Sequence, residues 1–294
     1  MNKPFIKAVL KAATVLSCSL MLAFPAQAAN ARTPVADGTV TYTNRNIVVD
    51  ASHTSDGYVM VKYSGKAPRI KVRIQKDTQY TYDLNTSGKY ETFPLAEGDG
   101  TYKIQVFENV SGSMYSTAMN KQISVKITDQ NSPFLYPNQF CNFTAESEAL
   151  KTSDTLVNGI TDPVKKVEAV YKYAVDNITY DYDKARTVKS GYLPNIDNTL
   201  KEKKGICFDY ASLMAAMLRA QDVPTKLVIG YTGNVYHAWI SVYTKQQGWI
   251  DNVIYFDGST WKFMDPTFAA SGKGDPSITE YINTPTNYQA KFSY

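Results

Sequence analysis

The run Ile206-Cys207-Phe208-Asp209-Tyr210-Ala211-Ser212-Leu213-Met214-Ala215-Ala216-Met217-Leu218-Arg219-Ala220 is apolar almost all the way round. A surface helix would show a polar face, so this pattern predicts a helix buried on every side. Val223-Pro224 ends it, and strand-like segments follow at Lys226 to Tyr231, Ala238 to Tyr243, Val253 to Phe256 and Thr260 to Met264. A buried helix leading into antiparallel strands reads as α+β. Cys207 falls at the start of the helix, where unpaired backbone N–H groups and the helix dipole favour a thiolate.

Upstream of that run, Val164, Val167, Val170, Tyr171, Ala174 and Val175 recur at a helical period, with Asp162 as a cap and Pro163 in the first turn. Before about Asp129 the pattern is different. Ile70-Lys71-Val72-Arg73-Ile74, Tyr102-Lys103-Ile104-Gln105-Val106 and Ile123-Ser124-Val125-Lys126-Ile127 alternate apolar and polar residues, and Gly- and Asn-rich turns separate them. Short strands at this spacing predict an all-β sandwich over 35–130, immunoglobulin-like or fibronectin-like and without a disulfide. The α+β domain is expected over 140–294, with its core over 160–270.

Residues 1–28 read as a secretory signal peptide: Lys3, Lys7 and Lys11, an apolar run from Ala12 to Phe24, then small residues with cleavage after Ala28. The apolar run is short for a transmembrane anchor. The expectation is a secreted protein, extracellular or associated with the cell wall and without a membrane anchor once the signal is removed. Removing three lysines and no acids takes the formal charge from +4 to +1. A near-neutral chain lacks the basic stripe that nucleic-acid binding needs.

The chain holds two histidines, His53 and His237, and three cysteines, Cys18, Cys141 and Cys207. Cys18 lies in the export segment and His53 in a polar run that reads as a loop, which leaves His237 with Cys207 or Cys141. Cys141 reads as a small buried hydrophobe. The carboxylate of Asp265 ends a strand-like run, and adjacent antiparallel strands bring such a residue to His237. Asp251 is the runner-up, Asp257 reads as a turn residue, and Asp209, two residues beyond the thiol, points away from it. A thiol, an imidazole and a carboxylate are the parts of thiol-based acyl transfer, as nucleophile, base and orienter. One Cys and one His without close partner ligands do not make a zinc site, so neither metal nor cofactor is expected.

Gly205-Ile206-Cys207-Phe208-Asp209-Tyr210-Ala211, Leu218-Arg219-Ala220 to Val223-Pro224-Thr225, Val228-Ile229-Gly230-Tyr231, His237-Ala238-Trp239 and Asp265-Pro266-Thr267 together resemble the transglutaminase-like superfamily, within the wider papain-like fold. The resemblance implies Cys207 as nucleophile, His237 as acid and base, and Asp265 as orienter. A second oxyanion donor upstream of the Cys is implied too, with Tyr180 and Tyr192 as candidates. The substrate class is a protein or peptide amide, cell-wall or surface proteins among them. Specificity is expected from the loops Asp183 to Asn198 and Thr244 to Asn252. The alternative is a non-catalytic scaffold in which the sandwich acts as an adhesive or wall-binding module.

Overall fold

The computed structural model describes residues 31–251 and 288–294, and the backbone of 255–256 and 261–262. Residues 1–30 with Cys18, the expected turn at Asp257-Gly258-Ser259, and Asp265-Pro266-Thr267 lie outside the described residues.

Eight strands form the first part: β1 (Thr41–Asn44), β2 (Ile47–Asp50), β3 (Tyr58–Tyr63), β4 (Ile70–Gln75), β5 (Gln79–Asp83), β6 (Tyr90–Pro94), β7 (Gly100–Ser111) and β8 (Met114–Val125). They make two antiparallel four-stranded sheets, ordered β1-β2-β3-β6 and β5-β4-β7-β8. The alternation in the sequence is the cause. Ile70, Val72 and Ile74 are buried while Lys71, Arg73 and Gln75 are partly exposed, because successive side chains of a strand leave on opposite faces. The sheets meet through their apolar faces, where the Tyr82 ring of one lies 5.0 Å from the Phe93 ring of the other. His53 sits at a turn between β2 and β3, bonded to Asp56 at 2.8 Å and Asp37 at 3.1 Å.

The second part contains α1 (Glu148–Leu156), α2 (Pro163–Asn177), β9 (Thr179–Tyr180), α3 (Tyr182–Thr187), α4 (Ile196–Glu202), β10 (Lys204–Gly205) and α5 (Cys207–Arg219). The strands β11 (Thr225–Thr232), β12 (Val235–Thr244), β13 (Gly248–Ile250), β14 (Tyr255–Phe256), β15 (Trp261–Lys262) and β16 (Tyr288–Ser293) follow. β13-β12-β11-β16 is an antiparallel sheet, and β14 pairs with β15. As the sequence predicts, α2 opens at Pro163 and the Asp162 side chain accepts a hydrogen bond from Val164 N at 2.8 Å. Residues 209–219 of α5 are all buried. Helices α1, α2 and α4 and strands β11 and β12 all pack on α5.

Two details depart from the sequence reading. Trp249 and Ile250, expected in a loop, belong to β13, whose pairing with β12 runs Tyr243 to Trp249 and Val242 to Ile250. The closing strand β16 is absent from the sequence reading, although Tyr288-Gln289-Ala290-Lys291-Phe292-Ser293 alternates apolar and polar residues as a strand does. It is held by main-chain pairing to β11 and by Tyr294, whose ring packs 4.3 Å from Phe140.

A continuous apolar cluster runs from Ile47 in the first sheets through Phe143 to Leu213 and Tyr294. Arg219, fully buried, fastens its far end. The guanidinium donates to Thr225 O at 3.0 and 2.8 Å, Tyr136 O at 2.6 Å and Tyr294 O at 2.6 Å. Burial lowers its pKa, but a guanidinium remains charged, and its charge-assisted bonds gather the interdomain segment, α5 and the last strand at one point.

Candidate functional site

The approach to Cys207 is held in place by short elements. β9 and β10 pair in parallel, Thr179 with Lys204 and Tyr180 with Gly205, which fixes the chain two residues before the thiol. Ile206 is the N-cap of α5 and Cys207 its first residue. The Asp209 carboxylate accepts a hydrogen bond from Ile206 N at 2.8 Å, so it satisfies a backbone donor at the helix start and adds negative charge where the dipole favours it.

Asp209 is completely buried and is not alone. Lys184 Nζ donates to its Oδ2 at 2.7 Å, and the Tyr192 hydroxyl donates to its Oδ1. Lys184 also donates to the Tyr192 oxygen at 2.6 Å. Burial works against the Lys184 ammonium, but the bonds to Asp209 and Tyr192 outweigh it and its pKa is raised. The Tyr192 phenol is pushed up to about 12, by burial first and by the Asp209 bond second. A buried ion pair with its lone pairs and protons filled is rigid. The carboxylate therefore supports the start of the Cys207 helix, and its oxygens are taken up by Ile206 N, Lys184 and Tyr192. Tyr192 is corrected as an oxyanion donor: its O–H is committed to Asp209. Lys184 was missed, because nothing in the sequence links a lysine in α3 to a carboxylate 25 residues on.

The strand that the sequence reading begins at Ala238 starts at Val235, so His237 is the third residue of β12, opposite Gly230 of β11. The imidazole is buried, at 5% exposure, and its ring centre lies 6.3 Å from the Trp239 ring. Gly230 is required there: a Cβ at this position would come within 2.0 Å of Gln289 O and 2.8 Å of the Trp239 ring. The missing side chain lets β16 and Trp239 close on the strand pair that carries His237.

Cys207 and His237 line one cavity of about 790 Å³. Cys207 is half-buried, whereas Cys141 is fully buried and its Sγ lies 3.7 Å from Ser212 O. Burial raises the Cys141 thiol pKa, and Arg219 only partly opposes this. Of the two described thiols, the one on the cavity is the one at the helix N-terminus. Tyr180, Tyr192, Phe208 and Tyr236 form aromatic walls, and the segment Val188 to Leu193 forms part of the rim, within the first of the two expected specificity loops. Of the second, the described residues Thr244 to Asp251 are not part of the cavity lining. The Tyr236 phenol pKa is raised by burial, then by Tyr231 and Cys207. Asp251 is exposed in a turn after β13, away from the cavity lining. Asp265 lies outside the described residues.

Residues 151–252 match the family model described as Transglutaminase-like superfamily. The chain is 31% identical over 111 residues to a UPF0252 protein of Methanocaldococcus jannaschii, covering 36% of this chain and 29% of that protein. It is 31% identical over 223 residues to the protein YebA of Bacillus subtilis, covering 62% and 30%. The chain thus spans less than a third of the length of these curated relatives. Among solved structures, a candidate cysteine protease from Cytophaga hutchinsonii aligns over 81% of this chain and 83% of its own, at 16% identity and a TM-score of 0.40. Red sea bream transglutaminase aligns over 71% and 48%, at 13% identity and a TM-score of 0.27. The stretch that is similar to this family model contains both Cys207 and His237.

Proposed function

We propose that this protein is an exported thiol enzyme that opens amide bonds of proteins or peptides through an acyl-thioester. Supporting this is the placement of Cys207 and His237 on one cavity, the thiol at a helix N-terminus and the imidazole on a rigid central strand. His237 takes the Cys207 proton, and the thiolate attacks the amide carbon, forming a C–S bond as the carbonyl electrons move to oxygen. The Cys207 backbone N–H, one of the unpaired donors of the first helical turn, faces that developing charge, with Tyr180 on the cavity wall as the second donor. The C–N bond breaks as the amine leaves with the proton from His237. Water or a second amine then attacks the thioester, giving hydrolysis or a cross-link and restoring the thiol. Asp265 orients His237 in this scheme.

The eight-stranded part is proposed as an immunoglobulin-like module, and residues 1–28 as the signal that directs the chain out of the cell. A casein-type protein or a glutamine-containing peptide, offered with and without a primary amine, tests the reaction. Turnover lost in Cys207→Ala and reduced in Asp265→Asn is the expected result. Turnover kept in Cys207→Ala defeats the assignment and returns the domain to a scaffold role.

A further inference from the structure

The cavity is not made by the transglutaminase-like segment alone. Lys71, Thr81, Tyr82 and Asp83, from β4 and β5 of the first part, line it together with Cys207 and His237. β5 is an edge strand in the order β5-β4-β7-β8. Its outward groups follow from the register. Leu84 N donates to Ile70 O at 3.0 Å, so at every second pair, Val72 with Tyr82 and Ile74 with Tyr80, the main chains face each other. In the intervening pairs, Lys71 with Asp83 and Arg73 with Thr81, they turn away. The Asp83 carbonyl confirms the phase, accepting from Asn85 Nδ2 at 3.0 Å and Gln139 Nε2 at 3.1 Å. Thr81 is exposed, and among the described residues its main-chain N–H and C=O have no hydrogen-bond partner.

We propose that the β5 edge at Thr81 binds the substrate as an added β-strand, delivering one of its side chains to Cys207. An extended polypeptide is the occupant that fits. An unpaired strand edge takes up main-chain N–H and C=O groups, and it does so here on the wall of the cleft that holds the thiol. Alternate side chains of such a strand leave on opposite sides, so one turns toward the aromatic wall of Phe208, Tyr180 and Tyr236. The main chain beside it passes the Lys71–Asp83 ion pair on the lip. The proposal rests on the thiol-enzyme reading above. It assigns the first part of the chain a share in substrate binding in place of an independent adhesive role.

The test compares alkylation of Cys207 in the full chain by bromoacetamide and by a heptapeptide of alternating Thr and Ser that carries a bromoacetylated amine at its centre. The peptide is expected to label Cys207 about tenfold faster than bromoacetamide, the value of two modest main-chain hydrogen bonds. Thr81→Pro removes the outward N–H while leaving the β4 ladder intact, and is expected to abolish that advantage without changing the bromoacetamide rate. Thr81→Val, which keeps the main chain, is expected to retain it. Stepwise N-methylation of the peptide tests wild-type protein directly, and one methylation site is expected to erase the advantage. An advantage that survives both Thr81→Pro and every N-methylation overturns the proposal. So does its absence in wild type when bromoacetamide labels Cys207 readily, which leaves the enzyme reading standing. A dimer that dissociates on Thr81→Pro, with no peptide advantage, gives the edge to a second copy and also overturns it. Failure of either reagent to label Cys207 in the folded protein removes the enzyme reading itself.

Discussion

Gly205 and Asp209 share one space: a Cβ built on Gly205 would stand 2.7 Å from the Asp209 Cβ and 3.2 Å from its Oδ2. The carboxylate that caps the Cys207 helix occupies the volume a side chain at 205 would need. Gly205→Ala is expected to cost about 1–3 kcal/mol, the usual penalty for overpacking a filled site. Urea denaturation measures it, and a midpoint equal to wild type contradicts the packing.

Removing the carboxylate acts on the same turn from the other side. Asp209→Ala strips the bond to Ile206 N and leaves Lys184 and Tyr192 without their acceptor. The expected loss is about 3 kcal/mol, toward the lower end for a broken buried pair because Lys184 retains some contact with water. The double variant Asp209→Ala with Lys184→Met is expected to recover part of it.

Arg219→Lys preserves charge and still fails. A lysine ammonium cannot reach the carbonyls of Tyr136, Thr225 and Tyr294 from one position, whereas the guanidinium fork does. A loss of about 3 kcal/mol is expected from the orphaned buried carbonyls, with the C-terminal strand releasing first. Hydrogen exchange at Tyr288 to Ser293 reads this directly.

His53 gives a pH-dependent contribution of known sign. Its pKa is raised, by the Asp56 hydrogen bond foremost and by Asp37 nearby, with burial opposing. The folded state therefore holds the proton more tightly than the unfolded chain. The contribution is present in full below the ordinary imidazole value of about 6.5 and fades as pH rises through the folded value. His53→Gln should lower the melting temperature at pH 5.5 and have little effect at pH 8.5. Asp37, held down to about 2 chiefly by the Thr39 N–H, loses its contribution only as pH falls from 3.8 toward that value.

The sequence made the helix of Cys207, the helix after Asp162 and the alternating strands legible, because each carries a periodicity set by burial on one face or on all. It left His237 with Cys207 or Cys141 and read Cys141 as a small buried hydrophobe; Cys141 is fully buried, and Cys207 lines the same cavity as His237. It could not show the Lys184–Asp209–Tyr192 cluster, since contacts between elements distant in sequence leave no local pattern. The same holds for Thr81: its importance comes from strand order and register, and its residue type gives no sign of it. Tyr192 misled for a related reason, as its position suited an oxyanion donor but its hydroxyl is already donating elsewhere.

In the proposed function Cys207 is a nucleophile activated by His237. Iodoacetamide labelling of native protein at neutral pH, followed by peptide mapping of Cys207 and Cys141, tests it most directly. Rapid modification of Cys207 is expected, with none of Cys141 before unfolding and a Cys207 rate at least about tenfold lower in His237→Ala, the scale of losing an adjacent base. Equal Cys207 rates in wild type and His237→Ala, or labelling of Cys207 only after denaturation, would contradict it.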